Sequence, residues 1–262
     1  MRYSANTNVL YALVRKVSRV YLRDFGEIQN LQDTDKTIGF AEKSKNRVES
    51  MISDELDIKY GKSGYKIILS DKPESLKIQN ANPNDNAFII NGLDGVLNFE
   101  KAIPFFCITM AHRQNGEIMN SIIYNPITDD IYIGEKGNGA THNNIRIRVS
   151  NENNIGNCLI STEELKNIYM KYGDKPTSRL ISSVKSMRSY GSKSLIFCMV
   201  ASGQFNAGII YTEDTLSIEA ASLLVRESKG VVRSIEDTKD SKSNYFIVSN
   251  EKIYDNLRKT LL

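Results

Sequence analysis

The sequence predicts an α/β (α+β) protein in which layers of helices cover β-sheets. Its 262 residues begin with two amphipathic helical patterns, continue with short strands joined by tight turns, and end with alternating helices and strands. No internal repeat, low-complexity tract or long linker interrupts them, so we expect a single domain over residues 1–262. An antiparallel-sheet half would cover residues 1–150, and a mixed α/β half would cover residues 151–262.

The helical spacing of apolar residues predicts the first helix over about residues 8–24. Its buried face consists of Val9, Leu10, Leu13, Val17, Val20 and Tyr21. Asn6, Thr7 and Asn8 are the candidates for its N-cap, because their side-chain oxygens can accept a hydrogen bond from a free backbone N–H. The basic residues of this segment lie on the opposite, solvated face.

A second amphipathic pattern and two apolar runs follow. The pattern predicts a helix over about residues 45–56, whose Glu49 and Asp54 face the solvent. The runs YKIILS and NAFIING are bounded by Gly, Asn, Asp and Pro, which is typical of short buried strands. We therefore expect the helical layer to be followed by the first strands of a sheet.

Asn-Gly, Asn-Pro and Gly-Asn-Gly turns divide the next segment, so a β-meander is expected from Phe105 to Val149. Within it, GNGATHNN favours a hairpin that needs positive φ, while its backbone amides could alternatively cradle an anion. His112 and His142 lie in polar, turn-like stretches and are expected at the surface.

Helices and strands alternate in the last hundred residues. Helices are expected near residues 191–200 and 216–228, followed by a short C-terminal helix. The runs QFNAGIIY, GVVRSI and YFIVSN are expected as strands. This alternation indicates a second sheet with its own helical cover.

The composition is that of an ordinary globular protein. A balance of 34 basic against 31 acidic side chains, with a net charge of +3, argues against a specific nucleic-acid binder.

Cys107, Cys158 and Cys198 show no C-x-x-C spacing and are expected as buried small hydrophobic residues. Charged residues interrupt the N-terminal apolar pattern, so we expect no membrane span or signal peptide and predict a cytoplasmic protein.

The stretch NGLDGVLNF, Asn91–Phe99, has the form of a turn that handles phosphate and metal. It combines Asp94 with two glycines and an Asn-Phe close, but no other acid lies beside Asp94. The backbone N–H groups of Gly95 and Val96, ahead of a helix, could still bind a phosphate oxygen, because that contact uses only the main chain. The stretch is therefore either a functional active site or a site that keeps the turn but lacks the catalytic groups.

Three segments, taken in order, resemble the inositol monophosphatase family, which includes the bacterial extragenic-suppressor proteins. LDGVLNFEKAIPFFCITMA is similar to the family's D-P-I-D-G-T-x-N-F signature and the strand after it, and EKGNGATHNN to its G-x-G-A-x-x-N-G loop. GSKSLIFCMVASGQFNAGIIYTEDTLSIEAASLLVRESKG runs without a gap against the family's closing segment. The resemblance extends over nearly the whole chain.

This resemblance implies a layered αβαβα sandwich, a homodimer, and a metal-dependent phosphomonoesterase that acts on inositol, sugar or nucleotide phosphates. The family's mechanism needs two or three Mg²⁺ ions held by carboxylates, of which one activates a water and the others clamp phosphate oxygens. Some bacterial relatives take part in transcription-complex assembly, so the resemblance also implies a possible protein partner of that kind.

The family's metal-binding carboxylates are largely replaced in this chain. The residues at those positions are Lys45, Ser70, Asn91, Asp94 and Ser217, of which only Asp94 is an acid. Val96 stands where the family has the threonine that positions the attacking water. Ile210 stands where the family has a glutamate that contacts the substrate. We therefore expect no competent catalytic residue and no bound metal.

Lys45 adds a repulsive charge to this loss of ligands. Hard divalent cations take six or more oxygen ligands, which a single carboxylate and a few neutral oxygens cannot supply for two ions. An ammonium ~4 Å from a divalent ion, at an effective dielectric constant of 20, is repelled by roughly 8 kcal/mol. We expect Lys45 to occupy the former metal space and to pair with Asp94.

Two functions remain open at this point. The first is a non-catalytic binding or regulatory homologue, which could retain weak binding of phosphate or a sugar phosphate. The second is an active Mg-dependent inositol or sugar phosphate phosphatase with substitute ligands. Asp71, beside the lost glutamate, is the leading substitute, ahead of Glu213, Asp214 and Glu219.

Overall fold

The computed structural model of the protein describes residues 3–31, 39–70, 85–163, 165–213, 215–235, 237–238, 241–242 and 244–262. The α-helices in this part of the chain are α1 Ala5–Leu31, α2 Phe40–Tyr60, α3 Val96–Glu100, α4 Leu165–Tyr172, α5 Asp174–Ser183, α6 Lys193–Ala201, α7 Glu219–Glu227 and α8 Glu251–Leu261. Short 3₁₀ helices cover Gly61–Ser63, Ile155–Asn157 and Thr215–Ile218. Among the described helices, none combines the length and the apolar character that a bilayer crossing needs.

The first sheet has seven strands in the order of the chain. They are β1 Lys66–Leu69, β2 Ala87–Asp94, β3 Cys107–Gln114, β4 Glu117–Asn125, β5 Asp130–Glu135, β6 Gly139–His142 and β7 Ile145–Arg146. β1 pairs with β2 in parallel, and every later pair is antiparallel. The predicted β-meander from Phe105 to Val149 is thus confirmed, because its tight turns allow only antiparallel pairing.

The second sheet has five strands in the order β11-β14-β10-β8-β9. They are β8 Leu159–Thr162, β9 Ser186–Ser189, β10 Ala207–Tyr211, β11 Val231–Ser234 and β14 Tyr245–Ser249, and a separate hairpin is formed by β12 Asp237–Thr238 and β13 Ser241–Lys242. β8 is parallel to β9 and β10, whereas β14 is antiparallel to both of its neighbours. This mixed pairing follows from the helices that connect β8, β9 and β10.

Helices and sheets alternate in five layers. Helices α1 and α2 pack on one face of the first sheet, where Phe88 and Ile90 of β2 belong to their hydrophobic cluster. The other face, with Ile89, packs on α6 and α7, which in turn cover the second sheet at Ile210. The far face of the second sheet, with Ile209, is covered by α4, α5 and α8. The implied αβαβα sandwich is confirmed, whereas the division into halves at residue 150 stays a prediction.

The first helix is longer than predicted at both ends. It begins at Ala5 because Ser4, rather than Asn6, Thr7 or Asn8, is its N-cap: the Ser4 hydroxyl accepts a 3.3 Å hydrogen bond from the Thr7 N–H. The Thr7 hydroxyl instead donates to the Glu135 carboxylate at 2.5 Å. These polar residues therefore tie the start of the helix to the first sheet.

His112 is buried, and the prediction of a surface position for it is wrong. It lies within β3 and is only 1% exposed, with Nδ1 2.8 Å from Asn120 Oδ1 and Nε2 3.3 Å from the Tyr65 hydroxyl. Burial lowers the pKa of His112, which favours the neutral imidazole. Asn120, from the polar sequence around His112, is a hydrogen-bond partner on the neighbouring strand, whereas Tyr65 comes from a distant part of the chain. His142, in contrast, is half-buried beside Asp130.

Candidate functional site

The end of β2, the start of α3 and the start of α6 border a cleft of about 330 Å³. A register shift between Asn91 and Asp94 interrupts the pairing of β2 with β3, so the end of the strand bends at this point. The lining residues are Asn91, Leu93, Asp94, Gly95, Val96, Leu97, Asn98, Glu163, Gly191, Lys193 and Ser217. The cleft thus contains the NGLDGVLNF stretch that the sequence predicts as the site.

Asp94 is bound to the beginning of α6. Its Oδ2 accepts a 2.6 Å hydrogen bond from the backbone N–H of Ser194, in the first turn of that helix. Ser192 is the N-cap residue, and its hydroxyl accepts from the Leu195 N–H at 3.4 Å. A carboxylate at a helix N-terminus is favoured by the helix dipole as well as by this hydrogen bond. The last family carboxylate therefore has a structural role at this helix end.

Glu49 is buried under β2, so the prediction that it faces the solvent is wrong. It is 1% exposed, and its Oε1 accepts from the Gly92 N–H at 3.2 Å. The Tyr21 hydroxyl donates to the carbonyl oxygen of the same Gly92 at 2.6 Å. Gly92 stands where the family has proline, which lacks an N–H, so this chain can make a backbone contact that the family motif cannot.

Lys45 contacts Glu49 rather than Asp94. The Lys45 Nζ is 3.8 Å from Glu49 Oε1, and the Lys45 side chain is only 11% exposed. Both Lys45 and Asp94 are described in the structure, and no ion pair joins them. The expected pairing of these two residues is therefore wrong. The ammonium group of Lys45 is nevertheless close to the backbone of the candidate site, because the Glu49 oxygen that it contacts also accepts from the Gly92 N–H.

The neutral side chains at the other family positions are also bound within the protein. Asn91 Oδ1 accepts from the Leu93 N–H at 3.2 Å. The Ser70 hydroxyl donates to the Ile90 carbonyl oxygen at 3.2 Å, and the Ser217 hydroxyl lies 3.3 Å from that of Thr212. Ser70 is fully buried. These oxygens have thus acquired partners other than a metal ion.

Val96 and Leu97 form the apolar mouth of the cleft, on a backbone that their neighbours hold in place. Gly95 has φ 94°, and a Cβ there would lie 2.9 Å from the Phe105 carbonyl oxygen, so this position requires glycine. Val96 and Leu97 follow at the start of α3 and are 40% and 66% exposed. Asn98 Nδ2 donates to the carbonyl oxygens of Phe105 and Tyr190 at 2.7 and 2.6 Å. Asn98 therefore holds the mouth to two neighbouring loops.

Two charged residues of the cleft were not predicted from the sequence. Lys193 and Glu163 both line it, and Lys193 Nζ is 3.8 Å from Glu163 Oε2. Lys193 is the first residue of α6, directly after the N-cap. The sequence does predict a helix that starts near Gly191. That prediction is the available signal for Lys193, because it places this residue in the first turn of the helix.

The remaining candidates lie outside the cleft or outside the described residues. Ile210 is fully buried in β10, within the core between the two sheets. Glu219 lines a different cavity, and Glu213 is exposed and accepts a 2.8 Å hydrogen bond from Tyr211. Asp71 and Asp214 lie outside the described residues.

The buried thiol groups beside Asp94 are not activated nucleophiles. Burial raises the pKa of the Cys107 thiol, and the negative charge of Asp94 raises it further. The pKa of Cys198 is raised by the same two causes, in the same order. Both groups are therefore protonated thiols at neutral pH. As expected from the sequence, Cys107, Cys158 and Cys198 are all buried and free.

A pair of Mg²⁺ ions needs more oxygen donors than the described residues offer here. Of the five family positions, only Asp94 carries a carboxylate, and one of its oxygens is bound to the Ser194 N–H. The described residues contain no group of three or more His, Cys, Asp or Glu side chains that could hold a metal ion. Since Mg²⁺ prefers six oxygen ligands with carboxylates among them, this donor set does not fit the family's metal cluster.

Comparisons with known proteins agree with the fold. The family model described as "Inositol monophosphatase family" matches residues 3–261. An inositol-1-monophosphatase of Rhizobium meliloti is 30% identical, over 100% of this chain and 97% of the relative. The protein named "Nus factor SuhB" of Buchnera aphidicola is 28% identical, over 90% of this chain and 86% of its own length.

The solved structures lead to the same result. The extragenic suppressor protein suhB of Bartonella henselae superposes with a TM-score of 0.80 at 26% identity, covering 98% of this chain and 99% of that one. Both the sequence match and the structural match extend over nearly the entire length. The chain therefore belongs to the inositol monophosphatase family.

Proposed function

We propose that this protein is a non-catalytic member of its family that acts through binding rather than phosphate hydrolysis. The observation that carries the proposal is the set of hydrogen bonds at the former ligand positions. Asp94 caps α6, Asn91 accepts from Leu93, and Ser217 contacts Thr212. At each of these three positions a side-chain oxygen already has a partner in the protein, which supports a cleft that is stable without an ion.

The electrostatics of the cleft support the same conclusion. Lys45 and Lys193 place ammonium groups at the site or next to it, and each has a nearby carboxylate, Glu49 or Glu163. A divalent cation would be repelled by these ammonium groups and would have to compete for their carboxylate partners. An anion such as phosphate is a better match for Lys193 and the Gly95 backbone, and weak binding of phosphate or a sugar phosphate belongs to this proposal.

We further propose a homodimer and a protein partner in a transcription complex. The support for the partner is the similarity to proteins named Nus factor SuhB, which covers 90% of this chain for the Buchnera aphidicola relative. A binding role of that kind needs the shape and surface of the fold but no metal-bound water. The support for the dimer is an exposed apolar patch on α4, formed by Leu165, Tyr169 and Met170.

A magnesium titration tests the proposal directly. We expect calorimetry to give no saturable Mg²⁺ binding at millimolar concentrations, and a panel of inositol, sugar and nucleotide monophosphates to release no phosphate above the buffer rate. The matched control is a variant with the carboxylates restored, Lys45→Asp, Ser70→Glu, Asn91→Asp and Ser217→Asp. This control should recover metal binding, because it places carboxylates at all four of the family's metal-binding positions that lack one.

The two measurements together separate the outcomes. Mg²⁺ binding with phosphate release by the unmodified protein would overturn the proposal. A folded restored variant that binds no Mg²⁺ would contradict the assignment of the four positions, and circular dichroism establishes whether that variant is folded.

The second candidate function is an active Mg-dependent inositol or sugar phosphate phosphatase. It is favoured by the aspartate, Asp94, that this chain has at a metal-binding position of the resembled signature. It is also favoured by the similarity to an inositol-1-monophosphatase of Rhizobium meliloti, which matches over the full chain. Asp71 would be its substitute ligand. Under this function, Asp71→Asn should abolish both Mg²⁺ binding and phosphate release, whereas our proposal predicts that Asp71→Asn changes neither.

A further inference from the structure

A second, smaller cavity lies beside the turn between β5 and β6, and we call it the basic pocket. Its volume is about 210 Å³. Its lining residues are Gly137, Asn138, Gly139, Arg146, Ile147, Arg148, Glu227 and Lys229. They come from that turn, from β7 and the residues after it, and from the end of α7. None of them lines the cleft at Asp94.

The turn at the basic pocket already holds an anionic group. The Gly137 N–H donates to Glu227 Oε1 at 3.0 Å, and the Gly139 N–H donates to Glu227 Oε2 at 2.9 Å. Both glycines have positive φ, 76° and 88°. Nearby backbone N–H groups in such a turn form a concave anion-binding surface. The sequence left a hairpin and an anion cradle as alternatives, and the turn is both.

The position of Glu227 shows how strongly this place favours negative charge. Glu227 is the last residue of α7, where the helix dipole disfavours a carboxylate. Its two amide partners must offset that penalty, with the help of nearby positive charges. A ligand anion at the same amides would meet the same helix dipole, so the cationic side chains of the pocket must supply the net attraction.

The positive charges of the basic pocket have no carboxylate partner of their own. In the described part of the chain, Arg146, Arg148 and Lys229 form no ion pair, and Arg146 Nη2 donates only to the Asn138 carbonyl oxygen, at 3.1 Å. Three cationic side chains thus surround a single carboxylate, Glu227. The pocket therefore has an excess of two positive charges, which is open to a ligand.

We propose that the basic pocket binds the phosphate group of a small phosphorylated molecule. Arg146, Arg148 and Lys229 would contact the phosphate oxygens, and guanidinium groups do so with two parallel hydrogen bonds. Glu227 is the internal competitor, because it occupies the amides that a phosphate oxygen would use. The volume is below the usual range for drug-sized ligands, which limits the ligand to a phosphate with a small attached group.

Glycine-selective ¹⁵N labelling gives a test that reports position. The chain has 16 glycines, so the spectrum is simple, and Gly137→Asn, which tolerates positive φ, assigns one of the two relevant signals. Orthophosphate and, separately, glycerol phosphate are titrated into the full-length protein at low ionic strength. We expect the Gly137 and Gly139 signals to shift with a dissociation constant of about 1 mM, as a few exposed ionic contacts would give.

Three variants connect the shifts to the proposed contacts. Arg146→Ala with Arg148→Ala should weaken the binding about fivefold or more, and Glu227→Gln should strengthen it about threefold, because it removes the competing charge. Lys252→Ala, at an exposed position of α8, is the matched control and should leave the affinity unchanged.

Two outcomes of the titration would contradict phosphate binding at the basic pocket. Shifts of Gly95 and Gly191 alone would place phosphate in the cleft and overturn binding at the basic pocket, without affecting the non-catalytic proposal. An unshifted spectrum at saturating phosphate would overturn it as well. Tighter binding of glycerol phosphate than of orthophosphate supports a phosphorylated small molecule, whereas equal affinities show that the phosphate group alone is recognised.

Discussion

Among single residues, Asp94 can serve either as a metal ligand or as a helix-capping group. It is the carboxylate that the family signature retains, and it is also the acceptor for a backbone N–H at the start of α6. A metal ligand and a helix cap need the same chemical group, so the identity of the residue does not distinguish them. Their consequences for stability differ, because a cap contributes to folding in the absence of any metal.

We predict that Asp94→Ala lowers the free energy of unfolding by about 1–2 kcal/mol, the usual contribution of a capping acid at a helix N-terminus. Asp94→Asn should cost less, because its amide oxygen can still accept from the Ser194 N–H. Urea unfolding in buffer with a metal chelator measures the effect. Asp255→Ala, at an exposed position of α8, is the control and should change little. Unchanged stability of Asp94→Ala would refute the capping role.

Single residues also show where the sequence is insufficient. Glu49 was expected in solvent because charged residues usually occupy the polar face of an amphipathic helix. Its partner is the N–H of Gly92, more than forty residues away, and no local pattern reports such a contact. The Lys45–Asp94 prediction was wrong for a related reason, since an alignment assigns positions in the chain but not side-chain directions.

At the scale of secondary structure, the sequence is a better guide. The first two helices and the meander carry strong periodicity, and each was predicted correctly in type, although α1 extends beyond both predicted ends. The predicted start of α1 was too late because Ser4, which caps the helix, lies outside the apolar stripe. The predicted end was too early although Phe25 and Ile28 continue that stripe. The NGLDGVLNF motif lines the cleft, whereas the presence of Lys193 and Glu163 there depends on tertiary packing.

The packing of α2 against β2 gives a prediction at the same scale. A Cβ at Gly92 would lie 2.6 Å from the Cγ of Glu49, so Gly92→Ala should lower the free energy of unfolding by about 1–3 kcal/mol through overpacking. Glu49→Ala should cost a similar amount, since it leaves the buried Gly92 N–H without its acceptor. In the double variant the steric clash is absent, so the combined loss should be smaller than the sum by about 1 kcal/mol.

Denaturant unfolding of the four proteins completes this cycle. Gly26→Ala, in the C-terminal part of α1, is the matched glycine control, because nothing lies within 4 Å of the added Cβ. That control should gain about 0.5–1 kcal/mol from its higher helix propensity. Strictly additive losses in the double variant would show that Glu49 and Gly92 are not energetically coupled.

At the scale of the whole molecule, the chain has the layered fold of its family. The five layers and their hydrophobic clusters involve residues throughout the described chain, and few of them belong to the cleft. We therefore expect the fold to be stable without a metal centre. On the non-catalytic proposal, selection for binding a second copy or another protein would retain this fold without the phosphatase chemistry.

The proposed homodimer provides the last prediction. Met170, 73% exposed on α4, follows the exposed Tyr169, which is one helical turn after the exposed Leu165, and exposed apolar residues of this kind favour association. We expect light scattering coupled to size exclusion to give twice the chain mass of 29.5 kDa. Met170→Glu should shift the protein to the monomer, because dimerisation would bury an unpaired charge.

Ile58→Glu, at an 83% exposed position on α2, should remain dimeric as the matched control. A monomeric unmodified protein would refute the dimer, and dissociation by Ile58→Glu alone would move the interface from α4 to α2.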